Sequence, residues 1–319
     1  MPGCRWDYER IDECPLCSAR SFVTVFDREI RSVPVKFVRC HRCDLVFQNP
    51  RMTREGLQDY FSSSVFIKDA DSEEFDLKDT LGYPDYFDWD PSYRRTADLR
   101  LAHIRRFKAP PGSLLEIGTA TGSFLDQARR RGYEVRGLDV SETFAAIARK
   151  QGLEIDQGFV EEFELPEAHY DVICNFGGIA CWRDPIRGLK NVRRALKPDG
   201  VFALNHPNID ALVPRLLGRG YFEFNPASLQ IFSDKTVNNC LEKAGFAAVV
   251  SRFERQYASV GRIATYGAWM RCTGGGEPML HPKMVDMIED AKIKGARVWL
   301  NTNGRVFGPT TALRTKLAA

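Results

Sequence analysis

LLEIGTATGSF, Leu114 to Phe124, decides how the chain is read. A short apolar run carries Glu116 two residues ahead of Gly118, and Gly122 then opens the amphipathic stretch SFLDQARRR. Glycine at these two places permits close approach of a ligand and backbone dihedrals that other residues avoid. A helix starting near Gly122 aims its free N–H groups into the same space. The next apolar stretch, YEVRGLDV, ends at Asp139, where a carboxylate can accept hydrogen bonds from both hydroxyls of a ribose. The loop reads as a nucleotide site. A tight βα turn with no ligand is the plain alternative.

The spacing narrows the nucleotide. A pyrophosphate-binding loop is G-x-G-x-x-G, whereas this one is Glu116-x-Gly118-x-x-x-Gly122, with Thr119 and Ala120 between. An acid at Glu116 repels phosphate and suits an amine or a sulfonium. S-adenosylmethionine (SAM) carries both cations and no phosphate. An NAD-linked oxidoreductase is the weaker alternative.

Around the loop, strand and helix patterns alternate. SLLEI, YEVRGLDV, YDVICNF and VFALNH read as strands. SFLDQARRR, ETFAAIARKQG (closed by Gly152) and PIRGLKNVRRALK (stopped by Pro198-Asp199-Gly200) read as helices. Such alternation implies an α/β fold, Rossmann-like, with a mostly parallel sheet covered on both faces. YRRTADLRLAHIRRF is a helix ahead of it. Ser233 caps a later helix, DKTVNNCLEKAG, and FAAVVSRF is a strand, with GRIATYGAWMRC a candidate for one more.

EIGTATGSFLDQARRRGYEVRGLDVSE resembles the first two motifs of class I SAM-dependent methyltransferases. YDVICNF and LKNVRRALKPDGVFALNHPN resemble the fourth- and fifth-strand regions, so the likeness runs over residues 95–255. It implies that Glu116, Gly118, Thr119, Ala120 and Gly122 line the methionine part of SAM and that Asp139 holds the ribose. Val140, Phe159 and Val160 would flank the adenine, with Asn175 and Phe176 on the cofactor or acceptor side.

Two C-x-x-C knuckles, Cys14-Pro-Leu-Cys17 and Cys40-His-Arg-Cys43, precede this region. Each offers two thiolates to one metal, and together they complete a tetrahedral four-sulfur set suited to structural zinc. Such a metal replaces a core that a small segment lacks. A redox dithiol or a nucleic-acid ribbon is the alternative, but the nearby Arg39, Arg42, Arg51 and Arg54 are too mixed with acids to make a phosphate track. A module of this kind ahead of a SAM domain resembles a bacterial methyltransferase group that includes sugar C-methyltransferases. The implied organisation is a zinc-ribbon-like module at 1–60, a linker or lid at 61–94, the SAM domain at 95–272 and an extra βα tail at 273–319.

Methyl transfer is an in-line displacement, so the protein has to align the acceptor and take its proton. Candidate bases are His206 after the fifth strand, Tyr221 and Glu223 in GRGYFEFNPASLQIFS, and, more remotely, His103. For each, a solvated or structurally satisfied side chain is the alternative. Two departures from the resemblance bear on the chemistry. Where the related enzymes carry Glu-His pairs, this chain has Ala180-Cys181 and Ala227-Ser228. Losing both pairs disfavours C-methylation of a ketosugar and favours O- or N-methylation of a small molecule, a sugar or secondary metabolite. A catalytically impaired SAM- and zinc-binding protein is the second reading.

The tail, TGGGEPMLHPKMVDMIEDAKIKGARVWLNTNG, resembles one βα piece of radical SAM enzymes. It lacks the three cysteines that would ligate an iron–sulfur cluster, so radical chemistry is rejected. Its helix is expected over HPKMVDMIEDAKIKG, its strand over ARVWLN, and a turn at Asn303-Gly304.

The bulk properties add exclusions. The chain has 319 residues, a net charge of +3 and 44% hydrophobic residues, which gives no global field for nucleic acid or membrane. The start, MPGCRWDYER, has no apolar signal segment, and a cytoplasmic location is expected. The sequence leaves the oligomeric state open.

Overall fold

The computed structural model describes residues 6–30, 33–63, 90–221, 223–246, 248–257 and 299–308. The strands are β1 Tyr8–Glu9, β2 Phe22–Ile30, β3 Val33–Cys40, β4 Val46–Gln48, β5 Arg51–Met52, β6 Gly112–Ile117, β7 Tyr133–Asp139, β8 Ile155–Gln157, β9 Tyr170–Phe176, β10 Leu196–His206, β11 Gln230–Ile231, β12 Ala248–Tyr257 and β13 Trp299–Gly308. The α-helices are α1 Arg54–Ser62, α2 Asp90–Ile104, α3 Ser123–Arg130, α4 Glu142–Lys150, α5 Pro185–Ala195, α6 Leu212–Leu217 and α7 Asp234–Lys243.

Five parallel strands form the centre of the large sheet in the order β10-β9-β6-β7-β8, with β13 and β12 continuing beyond β10. The order reverses between β6 and β9, and ligands in such sheets sit outside the strand ends at that reversal. Leu114 to Ile117, Val172 to Cys174 and Val201 to Leu204 are buried, as strands covered on both faces require. On one face Leu114, Val172 and Cys174 pack under α2 and α3, through Ala97, Leu101, Phe124 and Leu125. On the other, Leu115, Ile117 and Ile173 pack with Leu189, Val192 and Leu241 of α5 and α7.

The helices start where their sequences dictate. Ser141 accepts from the Phe144 amide at 3.3 Å, Asp184 from Arg187 at 2.9 Å ahead of Pro185, and Ser233 shares a capping box with Thr236. One expected boundary moves. The helix PIRGLKNVRRALK ends at Ala195, because Leu196 turns extended and pairs with Tyr170 at the start of β10.

A second sheet, β11-β4-β3-β2, is antiparallel and carries the cysteine knuckles. Its edge strand β11 comes from the far side of the methyltransferase-like region, pairing Gln230 with Phe47 and Ile231 with Val46. The two parts therefore share their cores. Cys14, Leu16, Cys40 and Leu45 pack with Phe232, Val237 and Leu241, and Phe26, Leu57 and Tyr60 with Phe144, Phe159 and Phe224.

β13 lies antiparallel between β10 and β12, pairing Asn205 with Gly304 and Phe253 with Asn303. The expected turn at Asn303-Gly304 is instead the middle of a continuous strand, held extended by ladders on both sides. The expected strand GRIATYGAWMRC, the helix HPKMVDMIEDAKIKG and the Gly-Gly-Glu-Pro piece lie outside the described residues, as does most of the expected linker. Among the described residues, no helix is long and apolar enough to cross a membrane.

Candidate active site and metal centre

Gly118 follows β6 with φ at +76° and donates its amide to Leu138 O at 2.7 Å, which ties the loop to β7. Ala120 follows with φ at +47°, uncommon for a residue with a Cβ. Gly122 sits at +81°, and a Cβ there would come within 2.5 Å of Leu153 Cδ1, so no side chain fits. The loop lies at the carboxyl ends of β6 and β7, with Gly122 packed against Leu153 and Ala148 and Asn175 Nδ2 lying 3.8 Å from where a Gly118 Cβ would stand.

Two polar groups bracket Gly118 from opposite faces of the sheet. Glu116 pairs in register with Cys174, and Ile117 with Asn175. Glu116 is buried, and its Oε2 has no hydrogen-bond partner among the described residues. Burial pushes its carboxyl well above the usual carboxylate range, against the opposing field of Arg100. Asn175 is fully buried. Its Nδ2 donates to Ile117 O at 2.9 Å, which leaves Oδ1 as a second buried acceptor with no partner among the described residues. Phe176 meets the edge of Phe124 at 4.8 Å, with the Arg100 guanidinium 3.9 Å over its ring.

Asp139, at the end of β7, is held by the loop itself. Oδ2 accepts from Ala120 N at 2.9 Å and lies 3.4 Å from Thr119 Oγ1, while Oδ1 accepts from Ser141 N at 2.9 Å. Burial raises its carboxyl to about 6 despite those donors. Phe159 belongs to the cluster that includes Leu57, Tyr60 and Phe61 of the N-terminal part, Val140 packs against that cluster, and Arg54 stacks over Phe159 at 4.8 Å. Val160 goes elsewhere. Its side chain packs in the other cluster with Trp182 and Leu189, so the structure does not bring Val160 beside Phe159 in one wall.

The acceptor-side candidates separate. Glu223 is buried, accepts from Ser228 Oγ at 2.9 Å through Oε2, and is raised by burial to about 7. Tyr221 is buried close enough to feel that carboxylate, and burial, more than Glu223, pushes its phenol up. The Cys181 thiol, raised to about 12 chiefly by burial, also feels Glu223, Asp139 and Glu161. The two places where the resemblance lacks its Glu-His pairs are adjacent, because Leu229 N donates to Ala180 O at 2.8 Å. His206 ends β10, buried beside Phe232. Its Nδ1 lies 2.9 Å from Pro207 O. A carbonyl only accepts, so Nδ1 carries a proton and Nε2 is the basic nitrogen. His103 does not join the site. It lies in the last turn of α2, which delivers it to the loop feeding the amino end of β6.

Cys14, Cys17, Cys40 and Cys43 form a four-cysteine cluster that could hold a metal ion. Their four sulfurs lie within 4.8 Å of one another, with Cys14–Cys43 and Cys17–Cys40 at 3.5 Å each. Zinc–sulfur bonds of about 2.3 Å place tetrahedral sulfurs roughly 3.8 Å apart, so the donor set fits. The Cys43 thiol is raised well above its usual value, first by its bond to Cys14 and then by burial. A divalent cation relieves that crowding. Both knuckles are held by α7, where Lys243 Nζ donates to Leu16 O at 2.6 Å and Lys235 pairs with Asp44 at 2.9 Å.

Sequence reasoning missed Arg54, Arg100 and Gln48. Each lies beside the site only through packing between elements distant in the chain, which leaves no local pattern to read.

Comparison with known proteins bears on the family and the fold. Residues 92–251, half of the chain, match the family described as "Methyltransferase domain". The uncharacterized methyltransferase YdaC of Bacillus subtilis is 35% identical over 98 residues, 29% of this chain and 54% of that protein. A demethylmenaquinone methyltransferase of Chlorobaculum parvum is 30% identical over 105 residues, 32% of this chain and 42% of that protein. The chain thus spans about half the length of the curated relatives it matches. A chain from the complex of the Haloferax volcanii Trm112 methyltransferase activator with a methyltransferase superposes with a TM-score of 0.51 at 16% identity, covering 70% of this chain and 92% of that one, a likeness of fold alone. By the match over residues 92–251, the chain belongs to the methyltransferase domain family.

Proposed function

We propose that the chain is a class I methyltransferase that uses SAM to methylate a small-molecule acceptor at oxygen or nitrogen. The observation that carries this reading is the pair of buried acceptors with no partner among the described residues, Glu116 Oε2 and Asn175 Oδ1, flanking left-handed Gly118. Buried acceptors without donors are costly, and a ligand with an ammonium and a sulfonium answers that cost where a pyrophosphate would not. Glu116, Gly118, Thr119, Ala120, Gly122 and Asn175 would hold the methionine end, Asp139 the ribose, and Val140 and Phe159 the adenine. Phe176, under Arg100, would close the methionine side.

Bound SAM would supply an activated methyl group. The chain's own part is to align the acceptor and take its proton. Glu223 is the proton acceptor on this reading. Its carboxyl reaches Ser228, at one of the two places where the resemblance lacks an acid–base pair, and with its value raised to about 7 it can hold or release a proton near neutrality. Tyr221 beside it orients the acceptor, and His206 lines the end of β10. The four-cysteine centre would hold structural zinc, because its sulfurs already stand at coordinating separations.

Calorimetry with S-adenosylhomocysteine and NAD at several pH values tests the reading. Binding an ammonium should expel the proton that burial keeps on Glu116, so S-adenosylhomocysteine affinity should rise with pH, and Glu116→Gln should flatten that rise. Binding of NAD, or no binding of S-adenosylhomocysteine, would refute it.

A further inference from the structure

Gln48 is a buried polar side chain that the proposed chemistry leaves unused. It ends β4, shortly after the second cysteine knuckle, and is 1% exposed. Its Nε2 lies 2.8 Å from Asn225 O, 3.2 Å from Pro226 O and 2.8 Å from Ser228 O. Its backbone amide donates to Leu229 O at 2.8 Å. Carbonyl oxygens only accept, so the amide nitrogen must face them. One residue of the metal-bearing sheet thus grips four carbonyls of the 225–229 loop.

The loop passes that grip onward. Asn225 Oδ1 accepts from the amides of Ala227 at 2.8 Å and Ser228 at 3.1 Å, which folds the loop on itself. Ser228 Oγ then donates to Glu223 Oε2 at 2.9 Å. We infer that Gln48 is a positioning residue for the acceptor side, holding Ser228 against Glu223 from the metal-bearing sheet. This rests on the reading of Glu223 as proton acceptor for its catalytic meaning, though the positioning itself does not require it.

The physical consequence follows from a competition. Burial favours the neutral carboxyl, and the Ser228 hydroxyl favours the anion. Cys181, from the turn after β9, and Tyr221, from the same loop, are the titratable groups that feel Glu223. With the loop released, the Ser228 hydroxyl no longer points at Glu223, and the carboxyl holds its proton to higher pH.

The test is the titration of Glu223 in the full-length chain, read from its carboxyl carbon-13 shift. The variants are Gln48→Met, Ser228→Ala and the pair combined. Each should raise the Glu223 midpoint by about one pH unit, a tenfold gain in proton affinity, and the double variant should move it no further than either single one. Metal content and S-adenosylhomocysteine affinity should stay at wild-type values. An unmoved midpoint in Gln48→Met, or additive shifts in the double variant, overturns the inference. If Gln48→Met does not fold, an unmoved midpoint in Ser228→Ala alone overturns it, because Ser228 is the link through which Gln48 acts. Glu223→Gln separates the two readings: if it leaves methyl transfer intact, the proton-acceptor role fails while the midpoint shifts still decide the positioning.

Discussion

The backbone amide of Ala120 donates to Oδ2 of Asp139 at 2.9 Å, so the acid at the end of β7 is also the stitch that holds the glycine loop in its left-handed turn. The same carboxylate accepts from Ser141 N at 2.9 Å, at the cap of α4. Asp139 therefore has two jobs that substitution can separate. Asp139→Asn keeps an acceptor for one amide but loses the charge. Asp139→Ala loses both. We expect Asp139→Ala to weaken S-adenosylhomocysteine binding by about 1–3 kcal/mol through lost charge-assisted hydrogen bonds, and Asp139→Asn to cost less. Calorimetry gives the affinity and thermal melting the stability. A lower melting temperature with unchanged affinity would make Asp139 a stitch only.

Buried carboxyls give the protein an acid-shifted stability optimum. Asp139 is raised to about 6 and Glu223 to about 7, burial being the leading cause for both. A raised carboxyl favours the folded state below its unfolded value and loses that advantage as pH rises through its folded value. At about 1.4 kcal/mol per pH unit, the interval from 4.5 to 7 at Glu223 amounts to about 3–4 kcal/mol. Asp126 and Asp171 are lowered, the arginines and Lys197 around them outweighing burial, and they act the other way at lower pH. Urea unfolding of the ligand-free protein should thus show stability falling between about pH 5 and pH 8. Glu223→Gln should remove part of that fall. A wild-type curve that is flat over this interval would contradict the assignment.

The central sheet was legible because parallel strands buried on both faces are written as near-continuous apolar runs; Val172–Cys174 is such a run, and Leu114–Ile117 is one broken only by Glu116. The Ser233 cap and both cysteine knuckles were legible because their signals are local. β11 was not, since two residues, Gln230 and Ile231, carry no periodicity, and their partners Phe47 and Val46 stand far away in sequence. The Gln48 grip was invisible for the same reason. α1 was hidden in the expected module–linker boundary, although Thr53 caps it by accepting from Gly56 N at 3.1 Å. His103 misled because a histidine on a helix says nothing about which end of the sheet the helix delivers it to.

A metal ion in the four-cysteine cluster should stabilise more than the two knuckles. α7 reaches both of them, through Lys243 to Leu16 O and Lys235 to Asp44, and its apolar face packs into the central core. Elemental analysis should find one zinc per chain. Cys14→Ser should lower metal occupancy and reduce the melting temperature of the whole protein in one transition rather than melt the first 60 residues separately. Because Gln48 follows the second knuckle, chelation should also alter the Glu223 titration. Full zinc occupancy in Cys14→Ser would count against the four-sulfur centre.

Removing the chain beyond Cys272 tests whether the tail belongs to the sheet. In the structure β13 fills the place between β10 and β12 and pairs with both. Without it, β10 becomes an open edge along Phe202 to His206, where β13 now supplies backbone partners, and β12 loses its neighbour. An exposed edge beside a buried parallel strand invites association with other chains. The truncated protein should melt at least several degrees lower and tend to aggregate. Its S-adenosylhomocysteine affinity, measured at a temperature where it remains folded, should change less than its stability, because Gly118 and Asp139 lie two or more strands away from that edge. A truncated chain with wild-type melting and no aggregation would show that β13 adds nothing to the fold.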